Sequence, residues 1–407
     1  MLTVEGALRA VMERTSPLPS GSRRLADALG CELAEDVAAD LDLPPFDKAL
    51  VDGYAVRSGD LEGGDRLLQI GEEITAGRVP TRPLGVREAA AIMTGAPMPA
   101  GADAVVMIEQ TRRHEGGVLV DDPSVAPGRH WMPRGREMRT GEVVLRRGGR
   151  LNPARLGLLA SVGRVEVAVI PRPRVAIVPT GDELVEPDRR PGPGQIRNTN
   201  AVMLQALVAS CDAEADALAI APDRLDRLRE TLSSGLTADV LLITGGVSAG
   251  NRDLVPEALA SLGVVRVFHK VRIKPGKPLW FGVGSPRDAG PGALVFGLPG
   301  NPVSGVVGFL LFVRPALDRL WARPAPRRYL SGGRLAAPFV HAGDRPTYHP
   351  SRLVPRIDLP GESEVEPLAW GGSADLRTVA QADGFAVFPA GDRAYEAGEA
   401  VDFLHWA

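Results

Sequence analysis

A chain of 407 residues exceeds what one hydrophobic core organises, and its 47 basic and 50 acidic side chains give no reason to expect nucleic acid or a membrane as partner. The 36 prolines and 47 glycines are scattered, which predicts many turns rather than one disordered tract. Cys31 and Cys211 stand apart without a CxxC spacing, excluding a disulfide scaffold and a structural zinc site, and no apolar run reaches the roughly 20 residues of a bilayer span.

The N-terminus, MLTVEGALRAVMER, carries Glu5 early and lacks a basic segment followed by an apolar core, so it is no secretory signal and a cytoplasmic location is expected. Residues 3 to 14 read as a helix capped by Thr3, with Val4, Leu8 and Val11 on one face. A second helix is expected around Leu25, Ala28 and Leu29. Pro44 and Pro45 end regular structure before Asp52-Gly53-Tyr54, where an acid lies among apolar neighbours; it reads as a functional acid or as a hairpin turn. From Asp65 to Val144 glycine turns and short apolar runs such as Ala104 to Ile108 predict a β-rich unit. Within it, Met93 to Pro99 holds two prolines and a glycine and cannot be regular; Thr94 offers its hydroxyl to a ligand or caps the turn.

Helical spacing returns from Asn152 to Val162, and Pro171 to Arg174 marks a boundary. Beyond it strands and helices alternate as in a doubly wound parallel sheet. Strand Val175 to Val178 runs into Pro179-Thr180-Gly181-Asp182-Glu183, and Asn198 caps a helix through Leu204, Leu207 and Val208. Leu218 to Ile220 read as the next strand, with Asp223 opening a helix through Leu225, Leu228 and Leu232. Two stretches then repeat one logic of apolar strand, glycine turn and helix: DVLLITGGVSAGNRD from Asp239 and ALVFGLPGNPVS from Ala293, the second helix running from Val303 to about Val313. Such turns sit where doubly wound sheets bind ligands, because free amides and a helix N-terminus favour an anion, and both are expected to line one pocket.

Position singles out Asp182, Glu183, Asp223 and Asp253, which follow predicted strands or open the next helices. Several carboxylates around one pocket suit magnesium, a hard cation that arrives with phosphates; aspartates there are also ordinary helix caps. Only Lys48, Lys270, Lys274 and Lys277 are lysine, and the last three fall within HKVRIKPGKP. Compact mobile charges kept in one place suit a tetrahedral oxyanion or phosphate, or else mark a solvated strand end. Residues 327 to 407, with strands such as Phe385 to Phe388 and Ala400 to Leu404, suffice for a small β-barrel. His341, His349 and His405 show no ligand spacing.

Taken together and in order, VDGYAVR, MTGAPMPAGADAVVM, PTGDEL, ITGGVS with Asp253, IKPGKP and GLPGNPVS resemble the molybdenum insertase family, molybdopterin molybdenumtransferases related to the C-terminal domain of gephyrin. The family's usual methionine before the aspartate is Val51 here. The resemblance implies an α/β multidomain chain, with residues 1–26 and 140–171 forming a discontinuous first unit and 27–139 a β-rich second. A doubly wound pterin-binding unit would span 172–326 and a small β-barrel 327–407. It implies a homodimer whose cleft joins the pterin-binding unit of one subunit to the second unit of the other.

The implied reaction takes adenylylated molybdopterin and molybdate, inserts the metal and releases AMP with magnesium, and other proteins of the cofactor pathway are expected partners. Asp52, Thr94, Asp223, Lys274 and Lys277 would be catalytic. Thr180, Gly181, Asp182, Gly245, Gly246, Ser248, Pro299, Gly300, Asn301, Pro302 and Ser304 would hold the pterin. Glu183 and Asp253 would bind magnesium, and Arg352 in the barrel is a further candidate anion contact. The rival readings are the adenylyltransferase of the same pathway, which lacks the VDGYA and MTGAP regions and the barrel, and a non-enzymatic pterin-binding scaffold.

Overall fold

The computed structural model describes all residues except 63–65, 247–253, 288–290, 324–329, 357–362 and 407. The first helix spans Val4–Arg14, and Thr3 caps it by accepting a hydrogen bond from the Gly6 amide at 3.1 Å. Val4, Ala7 and Val11 bury against the α/β unit, in one core with Phe309, Phe312 and Leu320. The chain then forms an antiparallel sheet in which Glu166–Ile170 lies between Gly21–Arg24 and Glu32–Leu33, so distant segments share one small core with Ala28, Leu151 and Leu159. The helix expected around Leu25 to Leu29 is only a 3-10 turn, Leu25–Asp27. Gly30 follows at φ +76°, a left-handed conformation that ends any helix, and Leu29 is left exposed while Ala28 is buried.

A six-stranded sheet follows, in the order Ala104–Met107, Gly53–Val56, Glu88–Ile92, Leu67–Ile74, Gly117–Val120, Thr111–His114. Gly53 is required there: a Cβ would lie 1.8 Å from the Val106 carbonyl oxygen on the neighbouring strand. Asp52 therefore stands at the mouth of a strand, not at the tip of a hairpin.

The α/β unit has a second six-stranded sheet, ordered Glu214–Ala217, Arg174–Pro179, Val240–Thr244, Leu294–Leu298, Trp280–Val283, Val265–His269. The first four strands are parallel and Trp280–Val283 runs antiparallel to both neighbours. Val240–Thr244 is buried throughout, as an inner strand covered on both faces must be. The edge strand is Glu214–Ala217 and not Leu218 to Ile220. Its exposed Glu214 and Asp216 alternate with half-buried Ala215 and Ala217, a period of two that a search for apolar runs passes over. The helix after the second glycine turn continues past Val313: Pro302–Gly308, a π-helical stretch Phe309–Val313 and Arg314–Leu320 run on without a break.

The last unit is a closed five-stranded barrel, Leu330–Leu335, Ser363–Pro367, Thr347–Pro355, Gly384–Phe388 and Ala400–His405, which leaves no free edge within the ring. Among the described residues no helix is long and apolar enough to cross a membrane.

Candidate functional site

Strands Arg174–Pro179 and Val240–Thr244 are neighbours, yet the chain leaves the first toward one edge of the sheet and leaves the second toward the other. A crevice opens outside the carboxyl ends of strands at such a switch point. Here it is a cleft of about 670 Å³. Thr180 closes its floor, with its amide and its hydroxyl both donating to the Thr244 carbonyl, at 2.9 and 3.2 Å. Gly245 and Gly246 turn the chain at φ +85° and +60°. A Cβ on Gly245 would lie 2.6 Å from the Thr180 carbonyl oxygen, and one on Gly246 would lie 2.6 Å from Val255, so no other residue fits either place. The opposite wall is Pro299, Gly300, Asn301 and Pro302, and the Asn200 amide holds the Gly300 carbonyl at 2.7 Å. Glu183 is the one acid and Arg197 the one cation among the described residues that line this cleft.

A second pocket of about 440 Å³ adjoins it and shares Pro278, Pro299 and Asn301. Its walls come from two units: Lys274, Lys277 and the buried Ser304 from the α/β unit, and Arg345, Trp370 and Ser373 from the barrel. The seam is stitched by main chain. The Lys274 amide donates to Pro346 at 2.9 Å and the Lys274 carbonyl accepts from Tyr348 at 2.8 Å, while the Val303 amide donates to Ser373 at 3.1 Å. The Asn301 side chain donates to the Ser373 hydroxyl at 2.7 Å, and Arg345 donates to the Ile273 carbonyl at 3.2 Å. Neither lysine is paired with a carboxylate among the described residues, whereas Arg345 pairs with the exposed Asp344 at 3.2 Å; the two lysines bring like charges that an oxyanion would neutralise.

Asp52 and Thr94 form a third locus. The Thr94 amide and hydroxyl both donate to one Asp52 carboxylate oxygen at 2.7 Å. These two bonds, the amide's first, hold the Asp52 carboxyl below the usual carboxylate range and keep it charged. Both residues are exposed, and neither lines either cleft of its own chain.

Of the residues singled out in the sequence, Thr180, Glu183, Gly245, Gly246, Pro299, Gly300, Asn301 and Pro302 line the first cleft, and Lys274, Lys277 and Ser304 the second. Asp182 and Asp223 stand beside the first, where the Asp223 amide donates to the Asp182 carboxylate at 3.1 Å; Gly181, at φ +139°, makes the turn under Glu183. Asp223 opens no helix, since the helix is Leu225–Gly235 with Arg224 at its cap position. Ser248 and Asp253 lie outside the described residues. Arg352 pairs with Glu366 on the neighbouring barrel strand and lines neither cleft. Arg345, Trp370, Ser373, Arg197 and Asn200 complete the walls, and of these only Asn200, beside a helix cap, carries a signal in the sequence.

One carboxylate at the first cleft offers the kind of oxygen donor that magnesium takes. Glu183 is an exposed carboxylate at the cleft, and no cluster of three acidic, histidine or cysteine ligands exists among the described residues.

Three family descriptions match the chain in succession: MoeA N-terminal region (domain I and II) over 2–163, Probable molybdopterin binding domain over 176–319, and MoeA C-terminal region (domain IV) over 332–406. A molybdopterin molybdenumtransferase from Staphylococcus aureus is 32% identical over 408 residues, covering 99% of this chain and 95% of the relative. One from Staphylococcus epidermidis is 31% identical over the same shares. A crystal structure of a molybdopterin biosynthesis MoeA protein from Pyrococcus horikoshii superposes with a TM-score of 0.81 at 31% identity, covering 100% of this chain and 99% of that one. A second superposes with a TM-score of 0.73 at 29% identity, covering 99% of each.

Proposed function

The chain belongs to the molybdopterin molybdenumtransferase (MoeA) family, and on that premise we propose that it inserts molybdenum from molybdate into adenylylated molybdopterin with release of AMP. It works in molybdenum cofactor biosynthesis. The observation that carries the finer reading is the adjacency of two unlike clefts, a larger one walled by glycine turns and a smaller cationic one, joined through Pro278, Pro299 and Asn301. The first suits a flat pterin with a phosphoanhydride, held at the turns Gly245-Gly246 and Gly300-Asn301. The second suits a tetrahedral dianion, met by Lys274, Lys277 and Arg345 with the Ser304 and Ser373 hydroxyls.

Glu183 at the cleft wall, with Asp253, would hold magnesium, and the ion would supply positive charge to offset that of the phosphate oxygens. Holding both substrates on shared walls replaces a bimolecular encounter by an oriented one. Asp52, kept charged by Thr94, would orient a water or oxo group. Since it lines neither of the two described clefts, this role supports a homodimer in which Asp52 and Thr94 face the cleft of the partner.

Incubation with adenylylated molybdopterin, magnesium and molybdate tests the reading, with AMP measured by chromatography and metal in the pterin by mass spectrometry. AMP released in step with molybdenum gained is expected. Turnover that ignores molybdate overturns it.

A further inference from the structure

We propose that Arg197 binds the phosphate of the adenylyl group in the first cleft and selects the adenosine nucleotide over the nucleoside. This rests on the assignment of that cleft to the pterin and its phosphoanhydride. A phosphoanhydride brings negative charge to a cleft whose described walls hold Glu183, glycine turns and neutral side chains; Arg197 is the one cation among them. The three cations of the barrel seam, Lys274, Lys277 and Arg345, line the adjoining pocket instead.

The position of Arg197 is built. It lies on a two-stranded parallel ribbon, in which Leu184 pairs with Ile196 and Val185 with Arg197, and this ribbon follows directly from Glu183 at the strand end. Arg197 is exposed, and its Nε donates to the Arg189 carbonyl at 3.2 Å, which tethers the guanidinium at one edge. Its two terminal nitrogens have no partner among the described residues and remain for a forked contact with phosphate oxygens. The paired Leu184 and Ile196 also line the cleft, and Ile196 is 57% exposed. A large apolar side chain left in water at a cleft wall is a surface for a flat heteroaromatic ring. One ribbon thus offers an apolar support and a phosphate fork on adjacent residues, the pattern that a nucleotide requires.

The test is calorimetric binding of AMP and of adenosine to the full chain at one magnesium concentration. The wild type is expected to bind AMP about 10-fold or more tighter than adenosine. Arg197→Gln is expected to abolish most of that preference while adenosine affinity stays within about 2-fold, which serves as the control for folding and ring binding. Arg197→Lys, keeping the charge but losing the fork, is expected to fall between them. Undiminished preference for AMP in Arg197→Gln overturns the role of Arg197 alone. A wild type that does not distinguish AMP from adenosine overturns the reading of the cleft, and this inference with it.

Discussion

The cleft at the ends of Arg174–Pro179 and Val240–Thr244 is made of backbone, since glycine turns form its walls and one acid and one cation its charge among the described residues. The pocket at the barrel seam is made of side chains, with three cations and two serines brought from residues as far apart as Lys274 and Ser373. A backbone site is rigid and tolerates few substitutions, because its fit depends on φ angles and missing Cβ atoms. A side-chain site is tuned residue by residue but holds only while the two units stay docked. Most of the positive charge thus lies at the seam, while the larger cleft combines backbone shape with the single cation Arg197 among its described walls.

The largest effect expected is on the charged side. Replacing Lys274 and Lys277 together by glutamine should lower molybdate-dependent turnover at limiting molybdate by on the order of 10³-fold, while the affinity for AMP changes little. Equal losses in both, measured by steady-state kinetics and calorimetry, would erase the distinction between the clefts. Asp52→Asn should leave adenylylated pterin bound but turning over roughly 100-fold more slowly in a single-turnover assay. Wild-type rates would remove Asp52 from the chemistry.

A finer probe is Thr94→Val, which deletes one of the two donors that hold the Asp52 carboxyl below its usual range. The wild-type Asp52 stays charged until the pH falls through that lowered pKa. The acid limb of the pH profile should therefore move to higher pH in the variant, and an unmoved limb would detach Thr94 from Asp52. On the backbone side, Gly245→Ala should destabilise the fold by roughly 2 kcal/mol, since the position combines a positive φ with a carbonyl contact. Gly300→Ala has open space, its nearest neighbour lying at 3.8 Å, and should stay within about 0.5 kcal/mol of wild type by denaturant titration while weakening AMP binding. Asn301→Ala, which loses one seam hydrogen bond, is expected to cost about 1 kcal/mol, between the two glycine substitutions.

Legibility in the sequence follows the same division. The glycine turns are readable because strand, turn and helix are contiguous, and a pair of glycines directly after a buried run serves little purpose except a sharp turn. The barrel's share is not. Arg345, Trp370 and Ser373 lie in no motif, and they reach the pocket through main-chain bonds from Pro346, Tyr348 and Ser373 that leave no trace in side-chain identity. Arg352 is the more prominent candidate in the sequence, yet Arg345 occupies the pocket because it precedes strand Thr347–Pro355, whose first residues meet Lys274. The edge strand Glu214–Ala217 escapes a sequence reading for a related reason: half-exposed strands show alternation, and Leu218 to Ile220 offer a stronger apolar run just beyond it. Arg197 carries no sequence signal because its ribbon has two residues per strand, too short for any period.

The pairing of Lys274 with the start of strand Thr347–Pro355 makes the cationic pocket a joint between two bodies. The barrel also shares one hydrophobic core with the α/β unit through Tyr348, Phe385 and Leu404, so substitutions in that core far from any motif would be felt at the position of Arg345 relative to Lys274.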